Sequence, residues 1–195
     1  MSTLSVIRGE DGYDWLHTPK GYECTWGSYM EAAEPVRKQM PWAGDYLRKH
    51  RKKYPWSPMF LNHGKHFEWP TGEEMKNILD LIDDTGLVAG QCYQTSLQLA
   101  EVIADVGEPV KYCEGLYVGP SGPLEHAWVL RNNRVHDFSI GFGGIFGSYF
   151  GIAFNPAFVK EIKGNSSKTG MIANWDTYKD ATEAYIREHF RPSLP

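Results

Sequence analysis

Cysteine is scarce in this chain of 195 residues, and the little there is follows no pairing pattern. Cys24, Cys92 and Cys113 are odd in number and no two of them are spaced as in a zinc knuckle. That excludes a disulfide framework using every thiol, and it points to a reducing compartment. At least one thiol is free for chemistry. Also missing is any apolar run near the roughly 20 residues that span a bilayer, and Met1–Asp14 shows no cleavable-signal pattern. A cytoplasmic protein that does not engage a membrane is the expectation. Charge of one sign is missing too: the net charge is −4 and the pI about 6.0, so no global field favours nucleic acid. Repeats and low-complexity tracts are absent.

What the chain has in quantity is aromatic residues, with 7 Trp, 11 Tyr and 9 Phe. Rings of that number can offset the entropy of ordering a chain, which argues for a packed core. The length suits one sizeable core rather than two. A single domain over 1–195 is expected, with an aromatic- and Pro-rich elaboration at 1–70, a core at 71–154 and C-terminal helices at 155–195.

Local signals become clear in stages. Ser28–Met40 reads as a helix that Pro35 interrupts, and Tyr46–Lys53 as another carrying the basic run Arg48–Lys53. That run reads as a solvated helix face rather than a phosphate site. Pro55, Pro58 and Pro70 suggest irregular or extended chain between them. Thr71-Gly72-Glu73-Glu74 is a capping box, followed by Met75, Ile78, Leu79 and Ile82 at helical spacing up to Gly86. A second helix is predicted from about Gln91 to Val106, stopped by Gly107 and Pro109. Strand-like segments follow at Val110–Val118, Glu125–Arg131 and Arg134–Ile140, the last two joined by Asn132-Asn133, a pair that tolerates positive φ in a tight hairpin. Gly141–Gly151 reads as a glycine-rich flap from which Tyr149 and Phe150 line a cleft. Asn155-Pro156 starts a short helix to about Lys163, and Asn174–Phe190 forms the last one. The order of elements predicts an α+β domain.

Chemistry concentrates on three residues. Cys92 opens the predicted 91–106 helix, where free N–H groups and the helix dipole favour negative charge on sulfur. His126 lies on the second strand-like segment. Pairing about the Asn132-Asn133 turn sets His126 opposite position 139, so Asp137 is a diagonal neighbour on the same face. His136, beside it, points the other way by strand alternation. A thiol, an imidazole and a carboxylate that orients the imidazole form a nucleophilic triad. The Cys92 backbone N–H is an automatic oxyanion donor, with Gln91, Tyr93 and Gln94 as side-chain candidates, and Trp128 and Tyr149 as further residues of the substrate site. Cys113, mid-strand, reads as a buried small hydrophobe, as does Cys24. His63-x-x-His66 has a plausible metal spacing but no third ligand, so no metal and no cofactor are expected.

Gly90-x-Cys92, a helix, Gly107-Glu108-Pro109, a strand ending Glu114-Gly115, then His126-Ala127-Trp128 and Asp137 resemble the transglutaminase-like core. That superfamily, part of the wider papain-like cysteine fold, includes short phage proteins. The resemblance covers Gly86–Ile140. It implies Cys92 as nucleophile at a helix start, His126 and Asp137 on adjacent antiparallel strands, and thiol attack on an amide carbonyl: hydrolysis, deamidation or transfer to an amine. No upstream Trp matches the one that assists the oxyanion hole in true transglutaminases. The substrate expected is a protein, a peptide or a small amide, with the aromatic N-terminal region and the last helix building the cleft. The alternative from another class is a binding or host-modulating protein on the same fold.

Overall fold

A computed structural model describes residues 5–8, 14–17, 33–69, 91–119, 122–137, 139–140, 146–164 and 169–190. The capping-box segment at 71–86, Cys24 and Gly141–Ile145 lie outside them. In chain order the elements are β1 (Ser5–Arg8), β2 (Asp14–His17), α1 (33–37), α2 (Ala43–Lys49), α3 (Ser57–His63), β3 (Lys65–Phe67) and α4 (Cys92–Asp105). Then come β4 (Val110–Gly119), β5 (Gly122–Arg131), β6 (Arg134–His136), β7 (Ser148–Phe154), α5 (Pro156–Lys163) and α6 (Trp175–His189). The fold is mixed α+β. β1 and β2 form a hairpin, and the other strands make an antiparallel sheet ordered β3-β7-β4-β5-β6.

Each boundary has a local cause. α4 presents Leu99, Ala100 and Ile103 to the sheet and ends at Gly107, whose φ is 80°. There Gly107 N–H donates to the Ala104 carbonyl and Glu108 N–H to that of Ile103, the paired bonds of a Schellman cap. The β5–β6 hairpin turns on Asn132 and Asn133, both at positive φ (51° and 64°), which matches the twist of the flanking strands. α5 begins on Pro156, and the Asn155 side chain accepts from Ala157 N–H at 3.0 Å.

Three expectations change. The chain between Pro55 and Pro70 is extended only at β3; Ser57–His63 is helical, since Pro58 sits in the first turn of α3, where its missing N–H costs nothing. The basic helix is split: α2 stops at Lys49 and a separate turn covers Arg51–Lys53, all exposed. The flap at Gly141–Gly151 is a strand from Ser148 onward, because β7 inserts between β3 and β4.

One face of the sheet carries Tyr112, Leu116, Ala127, Val129, Ile152 and Phe154 and is covered by α2 to α6. The other carries Cys113, Tyr117, Trp128, Leu130, Val135 and Tyr149, packed with Phe67, Trp69 and Ala33. Gly115 faces Gly151 on one side and His126 on the other. A Cβ there would lie 2.2 Å from the Phe150 carbonyl oxygen, so only glycine lets the sheet curl this tightly beside His126.

A buried charge pair ties the helical layer to the sheet. Glu114 on β4 accepts from the Tyr112 hydroxyl at 2.6 Å, from Met171 N–H at 3.0 Å and from Ile172 N–H at 2.9 Å. Lys163, at the end of α5, approaches it to 3.7 Å with both side chains fully buried. Such a carboxylate is tolerable only with this many donors.

Candidate active site

The α4 helix delivers Cys92 to the sheet by its first turn. Its first helical bond runs from Thr95 N–H to the Gln91 carbonyl, and Gln91 supplies no side-chain cap. The N–H groups of Cys92, Tyr93 and Gln94 are therefore left over at the positive end of the helix, next to a half-buried thiol. The Ser96 hydroxyl donates to the Ala127 carbonyl at 3.0 Å, which pins that turn to β5 one residue past His126. Among the described residues β6 pairs with β5 only from Val129 to Arg131. The stretch of β5 that bears His126 therefore has no β6 partner, and the start of α4 reaches it.

His126 is fully buried, its ring among those of Tyr117, Trp128 and Tyr149. Its Nε2 donates to Asp137 Oδ2 at 2.6 Å. The expected diagonal placement holds, although β6 stops at His136 and Asp137 leaves the strand. Asp137 is saturated with donors. Oδ1 accepts from Ser139 N–H at 3.0 Å and the Ser139 hydroxyl at 2.7 Å, and Oδ2 also accepts from Tyr149 at 2.8 Å. His126 Nδ1 has no nitrogen or oxygen partner among the described residues. The Cys92 sulfur lies near enough to the ring to favour its protonated form.

Electrostatics follow the geometry. Burial opposes a charge on His126, but the Asp137 carboxylate, with a smaller contribution from the Cys92 sulfur, overrides it and pushes the imidazole up to about 10. Burial would raise Asp137; His126, Ser139 and Tyr149 instead hold it below the ordinary carboxylate range. The pair thus favours an imidazolium held against a carboxylate.

This pair makes stability depend on pH in a stated window. The raised His126 contributes fully below its ordinary 6.5 and loses that contribution as pH climbs towards about 10. The lowered Asp137 contributes fully above its ordinary 3.8 and loses it as pH falls. The melting temperature should decline from pH 6.5 to 10 more steeply in the wild type than in Asp137→Asn. Parallel melting curves for the two proteins across that range would contradict the assignment.

Of the other candidates, Gln91 is exposed at the helix entry. Tyr93 is half-buried and turned against Gly170 and Lys163. Gln94 is half-buried with a carbonyl oxygen that finds no described partner. Trp128 and Tyr149, expected at the substrate site, are both fully buried, on the face of the sheet that also carries His126. Trp128 packs beside the His126 ring, and Tyr149 holds Asp137. Phe150 is likewise buried in the strand. Trp56 precedes Cys92 in the chain, and its indole N–H is taken by Glu125 at 2.7 Å. No group of three potential metal ligands gathers among the described residues, and none of their helices is long and apolar enough to cross a membrane.

Sequence reasoning missed Ser139 as the second support of Asp137. The signal was present, since the hairpin register sets position 139 opposite His126. Comparison with protein-family models, with curated proteins and with solved structures gave no match.

Proposed function

We propose that the chain is a cysteine-dependent hydrolase or acyltransferase acting on an amide bond, of transglutaminase-like type. The observation that carries the reading is the buried, fully supported His126–Asp137 pair at 2.6 Å, with the half-buried thiol of a helix start near the ring. A surface ion pair formed for stability has no need of such burial. Cys92 sulfur attacks the carbonyl carbon, and the oxygen gains charge near the free N–H groups of Cys92 and its neighbours. His126 passes its proton from Nδ1 to the departing amine, leaving a thioester. It then takes a proton from water, or from a second amine, which attacks the thioester and restores the thiol. Asp137 keeps the ring in the tautomer and orientation both steps require.

The test is alkylation of Cys92 by iodoacetamide as a function of pH, read on the Cys92 peptide by mass spectrometry. At pH 6 an ordinary thiol, with pKa about 8.5, is almost wholly protonated and slow. Cys92 should label rapidly there, and His126→Ala should remove that reactivity. Labelling that only rises near pH 8.5, in both proteins, would exclude an activated thiol.

A further inference from the structure

A cleft of about 400 Å³ opens on the helix-covered side of the sheet, lined by Pro55, Glu125 and the 172–177 segment. None of Cys92, His126 and Asp137 lines it, but its Glu125 is the chain neighbour of His126. Glu125 precedes His126 on β5 and projects from the opposite face, level with Leu116. Its neighbour on that face, Glu114, holds Met171 and Ile172 by their N–H groups, and Gly170 lies against Tyr93. The wall of the cleft is thus fastened to the turn of α4 that carries Cys92.

The charge of this cleft is one-sided. Among its lining residues only Glu125 and Asp176 ionise, and both are acidic. The start of α6 also borders it, but Asp176 in the first turn offsets that positive helix end. Glu125 is half-buried and held by Trp56 Nε1 at 2.7 Å. Burial pushes its carboxyl up against the Trp56 hydrogen bond, and among the described residues no lysine or arginine forms an ion pair with it. A carboxylate partly withdrawn from water without a cation carries a desolvation cost that an incoming cation would relieve. The Trp175 ring in the same wall suits a cation as well.

We infer that Glu125 selects substrates bearing an ammonium or guanidinium group close to the amide that Cys92 attacks. The inference rests on the thiol chemistry proposed above and adds to it a substrate class.

The test uses three methanethiosulfonate reagents carrying a trimethylammonium, a sulfonate or a plain methyl group. In each the thiolate attacks the sulfenyl sulfur, a disulfide forms and methanesulfinate leaves. Rates at Cys92 are read by mass spectrometry, with the charged reagents expressed relative to the neutral one on the same protein. The cationic-to-anionic ratio at Cys92 should exceed that of a small free thiol about tenfold, and Glu125→Gln should cut it about fivefold, the scale of one partly screened unit charge. Glu125→Asp, which keeps the charge, should retain the preference, and Asp176→Asn should lower it less. A ratio equal to that of the free thiol, or one that Glu125→Gln leaves unchanged, overturns the inference while leaving the triad standing. A folded protein whose Cys92 resists all three reagents overturns the triad, and the inference with it.

Discussion

Replacing Cys92 with alanine is expected to abolish turnover and low-pH labelling while the protein stays folded. The thiol packs no core position. It is half-buried at the first residue of α4, and alanine is the best helix former. Cys113 is fully buried on β4, and burial pushes its thiol well above the ordinary range, so it is a poor nucleophile. Cys113→Ala should leave turnover largely unchanged and cost about 1 kcal/mol in stability; Cys24→Ala should leave turnover unchanged too. Turnover on any accepted amide or ester, with circular dichroism of each variant, decides the matter. Activity or labelling surviving in Cys92→Ala would show that another residue is the nucleophile.

Asp137→Asn should lower turnover by about 10- to 1000-fold without unfolding the protein. The amide oxygen can still accept from Ser139 N–H and hydroxyl, which fixes its position. It cannot stabilise an imidazolium, and its NH₂ group favours the wrong tautomer of His126. The loss stays below that at the nucleophile because a thiolate and an imidazolium attract each other without help. His136→Ala should reduce turnover much less. His136 is buried level with Val129, on the face of the strand away from Asp137. Inactivity of His136→Ala with normal activity of Asp137→Asn would make His136 the functional imidazole.

What the sequence revealed was what neighbouring residues decide among themselves. The α4 helix, the Asn132-Asn133 turn and the Asn155-Pro156 start are set by caps and backbone preferences within a few residues. The hairpin register followed from the turn, and from it the meeting of His126 with Asp137. The missed elements depend on partners far along the chain. β7 is rich in glycine and aromatics, which in isolation resembles a loop. It becomes a strand because β4 and β3 accept it on either side. The role of Tyr149 was illegible for the same reason, since its hydroxyl meets Asp137 only once β7 is in place. Glu114 gave a faint sign as an acid inside an apolar strand, but its partners at Met171, Ile172 and Lys163 come from two later segments.

The carboxylate that steers His126 draws its four hydrogen bonds from three places: the residue two positions on, strand β5 and strand β7. β7 in turn pairs with β3, from the first half of the chain. A nascent or partly opened chain can therefore own the helix and the thiol yet lack an oriented base. The orientation of the imidazole is thus a property of the closed sheet rather than of the helix that carries the thiol.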